Sequence, residues 1–410
     1  MIKLIDDLWF KRRDIVSDGF NESLDYIGKI IPLKVHKIPS GTRCWTWTVP
    51  EKWTVKSAYI EDTEGNRLLD LKNHPLHVLS YSLPVDKVVS KEELFRHLHI
   101  SEKRPKAIPF EYKYYDRDWG FCVQAERLKD FSKDKYRVFI DAKFEKDVLR
   151  LGESHIKGRN KDTIVIAAHL CHPAMVNDDL SGVAVLAKLA KELHGRKNNY
   201  SYKILFLPET IGSIAFLSQN MNIIPHIKYG IFLEMLGNDN SLALQFSHQG
   251  NTKIDKIARY AMSRRLKIFR EGPFRSIVRN DEMVFNGPGV NIPMISISRS
   301  PYPEYHTSDD NPSIISEERL DEAGEVVSYI LDVMERDYLP KRNFTGPIFL
   351  SGFGLWVDWK TNPELKRTME KIMLNLEGDL SIFDISEKVG LDFENTWGLI
   401  NKLKEKRLVV

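Results

Sequence analysis

The chain has 410 residues, 42% hydrophobic and 29% charged, with 60 Lys and Arg set against 57 Asp and Glu for a formal net charge of +3. This length predicts two or three domains, and the balanced charge offers no electrostatic case for nucleic acid or an anionic membrane as the main partner. The three cysteines, Cys44, Cys122 and Cys171, have no Cys-x-x-Cys spacing, which argues against a disulfide framework and a cysteine-only zinc site.

At the start, "MIKLIDDLWFKRRDIV" places two aspartates where a signal peptide would have an unbroken apolar core. No apolar run approaches the roughly 18 residues of a membrane span. The expectation is therefore a reducing cytoplasm and no membrane. Residues 1–31 read as one or two amphipathic helices, with Leu4, Leu8, Ile15, Leu24 and Ile27 on a helical period. From 41 to 130 the texture becomes short, aromatic and β-branched, as in "CWTWTVP", "LHVLSYSLP" and "GFCVQA". "YRVFIDAKFEKDVLRLGESHIKG" then predicts two strands joined by a turn.

From residue 163 the pattern is strand 163–169, helix 180–194, strand "SYKILFLP", helix 211–220 and strand "YGIFLEML". The helix "TKIDKIARYAMSRR", the strand "IPMISISR" and the long helix "SEERLDEAGEVVSYILDVMERDY" follow. Apolar strands alternating with helices predict an α/β fold with a mostly parallel, mixed sheet covered by helices on both faces. After a Pro/Gly-rich stretch come three helical segments, "NPELKRTMEKIMLNL", "FDISEKVG" and "NTWGLINKLKEKRLVV", spaced as in a winged-helix or helix-turn-helix module. The expected domains are residues 1–40 with 131–345 as the α/β domain, 41–130 as an inserted β-rich domain and 355–410 as the winged helix. The last helix opens on "LDFEN", with Asp392 and Glu394, while Lys402, Lys404, Lys406 and Arg407 lie at its far end. A DNA-reading helix needs the opposite layout, so docking to another domain or subunit is expected instead.

Sites on open α/β sheets form at the carboxyl ends of the strands. Those ends carry His169 and His172, Glu209, Glu234, and Arg299 with Tyr305 and His306, while Asp178 lies in the loop after the first strand. Imidazole with carboxylate is a zinc donor set, and zinc lowers the pKa of a bound water to about 7. A carboxylate that is not a ligand must then act as general base, and Glu209 is the candidate. Simpler roles compete: Asp178 could cap the following helix, His172 could close a buried turn, and Asp281, Glu282 and Arg299 could form salt bridges as readily as line a substrate pocket.

The ordered series "SGTRCWTWTVPEKW", "LHVLSYSLPV", "YYDRDWGFC", "HLCHPAMVNDDLSG", "PETIGS", "RNDEMVFNGPGVNIP" and "YPEYHTSDDNP" resembles bacterial aminopeptidase-like proteins. These belong to the zinc-dependent aminopeptidase superfamily, which also holds the glutaminyl cyclases, and carry an inserted β-rich domain and a C-terminal winged helix. The resemblance implies metal ligands at His169, Asp178 (bridging two ions), Glu234 and His306, with Glu209 as base. Two positions depart from the pattern. Thr210 stands where a second metal-binding carboxylate is usual, and Cys171 stands where an aspartate orients the first histidine, with His172 as an added imidazole. One or two zinc ions are therefore expected, with Asp281, Arg299 and Tyr305 as substrate-binding candidates. The expected activity is hydrolysis of an amide next to a free amino group in a small peptide or aminoacyl substrate. The alternatives are a non-peptide amide in surface-glycan metabolism and a non-catalytic, metal-binding regulator with a DNA-binding winged helix. Formation of a homo-oligomer is left open.

Overall fold

A computed structural model describes residues 1–356, 360 and 363–410, which form two compact units, Met1–Val326 and Val327–Val410. An eight-stranded mixed sheet is the frame of the first. Its strands are β1 (Lys34–Pro39), β2 (Val148–Ile156), β3 (Thr163–His169), β4 (Ser201–Leu207), β5 (Ile227–Glu234), β6 (Ala243–Gln245), β7 (Arg270–Gly272) and β8 (Met294–Ser298), in the order β1-β2-β4-β3-β5-β8-β6-β7. The centre, β4-β3-β5-β8, is parallel. The antiparallel pairings are β1 with β2, β2 with β4, and β6 with β8. The three-residue strands β6 and β7 were not expected, because so short a run shows no periodicity.

All seven residues of β3 are buried. This is why "TIVIAAH" shows no alternation: a central strand covered on both faces has no solvent side. The helix Gly182–His194 covers this region with Val183, Ala184, Val185, Leu186, Ala187, Leu189 and Ala190 buried. Its first residue has no room for a side chain. A Cβ on Gly182 would lie 2.6 Å from the Leu233 carbonyl oxygen and 2.5 Å from Asp179 Oδ1. The helix Ile211–Gln219 is apolar nearly all round and correspondingly buried.

The chain between β1 and β2 has its own antiparallel sheet, ordered Arg67–Asp70, Lys52–Asp62, Lys135–Glu145, Val85–Ser90. It therefore recruits a strand beyond residue 130. Trp53 is buried there, stacked on Tyr81 at 5.8 Å. The hairpin Arg43–Cys44 with Trp47–Thr48 instead leaves Trp47 40% exposed.

In the second unit the helices Pro363–Met373, Ile382–Val389 and Phe393–Glu405 follow the end of the helix Glu317–Arg336. Asn362, where the sequence places the start of the first of them, lies outside the described residues. Ser381 and Asp384 form a reciprocal capping box. Gly390, at φ 73°, ends that helix in the left-handed region, and Asp392 caps the next. Glu394 accepts from both terminal guanidinium nitrogens of Arg336 at 2.6 Å and from the Tyr329 hydroxyl at 2.9 Å. Outside these helices, strand pairing within the described residues of this unit consists of the single bridges Lys341–Glu377 and Arg342–Val409.

Candidate metal centre

β3 delivers His169 to the carboxyl edge of the sheet. The chain then turns through His172 (φ 102°) and Ala174 (φ 50°), an uncommon region for residues with a Cβ. That turn sends the buried His172 ring back beside His169, with ring centroids 4.9 Å apart. Asp178 lies between the imidazoles. Its Oδ1 is 3.2 Å from His169 Nε2 and 3.9 Å from His172 Nδ1, and its Oδ2 is 3.1 Å from His306 Nε2.

The Asp178 loop is anchored by Asp310, four residues after His306. Asp310 accepts the amides of Val176 (3.2 Å), Asn177 (2.6 Å) and Asp178 (3.0 Å), and the Tyr302 hydroxyl (2.7 Å). Capping of the next helix falls to Asp179, whose Oδ1 accepts the amides of Gly182 and Met235. The Asp178 carboxylate is thereby left free to face the histidines.

Glu209 follows β4, and its turn is held from both sides. The Glu209 amide donates to Cys171 Sγ at 3.1 Å, and the Thr210 amide to both Asp281 oxygens at 3.0 Å. Ser213 donates its hydroxyl to the same Asp281 carboxylate, and Thr210 sits at φ 58°. Glu209 Oε2 is 3.4 Å from His172 Nε2. Glu234, buried at the end of β5, accepts Asn280 Nδ2 on Oε2 at 2.8 Å.

The electrostatics follow from burial. Glu209 is 29% exposed, but protein surrounds most of its carboxyl, and this burial raises it to about 7. His172 is lowered to about 3, first by burial, and so remains the neutral imidazole that a metal requires. Burial opposes ionisation of Asp178, yet the imidazole cluster around it, with His169 and His306 closest at 3.2 and 3.1 Å, outweighs this and holds the carboxyl well below its ordinary range. Glu234 is raised by burial and then by Glu282.

These residues fit a cation. His169 Nε2, His172 Nε2, Asp178 Oδ2, Glu234 Oε1 and His306 Nε2 are all buried and make no well-aligned hydrogen bond, a concentration uncommon in ordinary interiors. Ligand atoms of His172, Asp178 and His306 all lie within 4.8 Å of one another, as do those of His169, Cys171 and His172. Glu234 lies outside both of these sets.

Two of the substrate-pocket candidates are buried in the structure. Arg299 is 1% exposed, and its guanidinium bonds the carbonyls of Leu236, Asn240 and Arg319 and the Glu322 carboxylate. It braces the loop after β5 and has no free face for a substrate. Asp281 is fully buried and acts on the Thr210 turn. Tyr305 is 47% exposed and stacks on His306 at 3.9 Å. The sequence reading did not assign the roles of three contributors: Cys171 as an acceptor, Asp310 as an anchor, and Phe110 from the segment between β1 and β2. The Phe110 ring meets His172 at 5.2 Å and His306 at 5.3 Å, and its amide bonds the His306 carbonyl at 2.8 Å. Asp310 lies within the motif around His306. Phe110 had no local signal, because its partners are distant in the chain.

Residues 2–337 match the family model described as a domain of unknown function (DUF4910). A Clostridium acetobutylicum protein, provisionally named as a polysaccharide biosynthesis protein with an aminopeptidase-like domain, is 33% identical over 401 residues, spanning 95% of this chain and 91% of its own. The crystal structure of a provisionally assigned peptidase from the same organism superposes with a TM-score of 0.91 at 32% identity, covering 100% of this chain and 95% of that one. A zinc aminopeptidase from Bacillus subtilis has a TM-score of 0.59 at 14% identity over 80% of this chain and 92% of its own, a likeness of fold. The chain belongs to the DUF4910 family, and its sheet, helices and strand-end site are built on the aminopeptidase-like fold.

Proposed function

We propose that this chain is a zinc-dependent hydrolase that cleaves an amide beside a free amino group. The observation that carries the reading is the Asp178 carboxylate bracketed by His169 and His306, with buried atoms on all three that make no well-aligned hydrogen bond. The family relation and the fold support it. His169, Asp178 and His306 would hold the ion, with Glu234 as a further carboxylate. His172 lies within reach of Asp178 and His306 and would supply the donor that Thr210 cannot. Zinc, when bound, supplies a Lewis acid for the scissile carbonyl and lowers the pKa of water.

The other tasks fall to the protein. Glu209, raised to about 7, is matched to taking a proton from water near neutral pH and returning it to the leaving amine. Asp281 and Cys171 fix the backbone on which Glu209 turns. Phe110 and Tyr305 pack on the histidine rings. Metal analysis after zinc loading and dialysis, together with hydrolysis of aminoacyl-anilides, tests the reading. The wild type should retain zinc, Asp178→Ala and His306→Ala should lose it, and His172→Ala should weaken it. A wild type that holds no metal after supplementation overturns the proposal. A second reading, an acylamino group on a surface-glycan precursor, is favoured by the name of the Clostridium relative. Turnover of acylated amino sugars but not of anilides would select it.

A further inference from the structure

Two cavities open beside Glu209 and share Thr210 and Trp47. The first, about 370 Å³, has Tyr112, Tyr115, Lys113 and Asp116 on its walls, so its cation and anion offset each other. The second, about 340 Å³, is walled by Trp45, Trp47, Met283 and Val290 and carries Arg275 and Arg279. Two residues tie this second cavity to the candidate metal centre: Thr210, next to Glu209, and Asn280, whose side-chain amide bonds Glu234 at 2.8 Å.

The charge in the second cavity is unbalanced. Arg275 Nη1 lies 3.6 Å from the buried carboxylate of Glu282, which offsets one guanidinium. Arg279 is exposed, and its Nε reaches the Arg275 carbonyl at 3.4 Å. Arg275 is held at φ 61°, a conformation that a non-glycine residue keeps only when its surroundings impose it. Two guanidinium forks beside an exposed tryptophan face form a receptor for a carboxylate or phosphate borne on an apolar or ring-shaped carrier. The volume suits a small molecule.

We propose that this cavity is the subsite for the leaving half of the substrate and that it binds an anionic group, carboxylate or phosphate, through Arg275 and Arg279, with the carrier packed on Trp45 and Trp47. The assignment of a leaving half rests on the hydrolase reading; the anion site itself does not.

The test uses the zinc-loaded full chain carrying Glu209→Gln, so that dipeptides bind without being cleaved, and calorimetric titration with two matched pairs. The pairs are glucosamine 1-phosphate against glucosamine, and alanyl-alanine against its C-terminal amide. The anionic member of at least one pair should bind about tenfold more tightly than its neutral partner, and the responding pair identifies phosphate or carboxylate as the source. Arg279→Ala should abolish that preference while leaving zinc content and affinity for the neutral partner unchanged. Arg275→Lys, which keeps a cation near Glu282, should weaken the preference severalfold, and Lys113→Ala should leave it intact. Equal binding within each pair, or a preference that survives Arg279→Ala, overturns the proposal. Binding is read without turnover, so a chain that hydrolyses no amide but keeps the arginine-dependent preference would sink the hydrolase reading and leave the anion site standing. Hydrolysis without that preference would do the reverse.

Discussion

Replacing Asp310 by Asn tests whether one buried carboxylate sets the shape of the Asp178 loop. Asp310 is fully buried and accepts four hydrogen bonds, from the amides of Val176, Asn177 and Asp178 and from the Tyr302 hydroxyl. Both amides at Oδ1 can be kept by the Asn oxygen. At the other position the new NH₂ group faces the Asp178 amide, donor against donor, while the Tyr302 hydroxyl can rotate and accept. The loss is therefore one buried, unsatisfied amide, about 1–3 kcal/mol, plus the difference between a charge-assisted bond and a neutral one at the retained oxygen, about 1 kcal/mol. The sum, about 2–4 kcal/mol, is a large share of ordinary domain stability. Chemical denaturation should show it as a lower midpoint with an unchanged slope, and zinc affinity should fall as well, because the amide set loose belongs to Asp178. Tyr302→Phe removes a donor without leaving one stranded and should cost about 1 kcal/mol, with a double-mutant cycle reporting the coupling of the pair. An Asp310→Asn protein with wild-type stability and zinc affinity would refute the claim that this carboxylate positions Asp178.

Glu209→Gln should retain zinc while kcat drops about 10²–10⁴-fold, the range for removal of a general base; full activity on an otherwise good substrate would exclude Glu209 from that role. Gly182→Ala should destabilise the chain by about 1–3 kcal/mol, since its methyl would meet the Leu233 carbonyl and Asp179 carboxylate at 2.6 and 2.5 Å, and a neutral melting temperature would contradict the packing described. On β2, the Glu153 side chain is 6% exposed. Burial opposes its ionisation, but His36 at 2.6 Å and Lys203 overcome this and lower it from 4.5 to about 2. A carboxyl depressed in the folded state contributes stability above its unfolded pKa and loses that contribution as pH falls through the folded one, here between 4.5 and about 2. Glu153→Gln should flatten acid unfolding in that window by on the order of 3 kcal/mol, and identical acid titrations of the two proteins would count against the His36–Glu153–Lys203 cluster.

The alternation of apolar strands and amphipathic helices was legible because period and length are local properties. The strand Thr163–His169 occupies the span read from the chain, and the neighbouring elements differ by one or two residues at their ends. The candidate site residues could be named for a related reason: in a parallel sheet each strand's last residues reach the same edge, so His169, Glu209, Glu234 and His306 could be nominated one strand at a time. Their nomination needed no knowledge of which strand lies beside which.

Direction and partnership were not local. Whether Asp178 or Asp179 capped the helix depended on the Met235 amide, 56 residues beyond Asp179, which takes the latter carboxylate. Arg299 read equally well as a pocket residue until its guanidinium met the carbonyls of the loop after β5. Phe110 joined the site only because the segment between β1 and β2 pairs with the His306 segment, 196 residues further along. Residue type and spacing, which the amino-acid sequence alone determines, establish the chemistry available at each strand end. Packing across hundreds of residues decided which of those groups face one another and which are spent on holding the backbone, because a hydrogen bond between distant segments leaves no periodic trace in either.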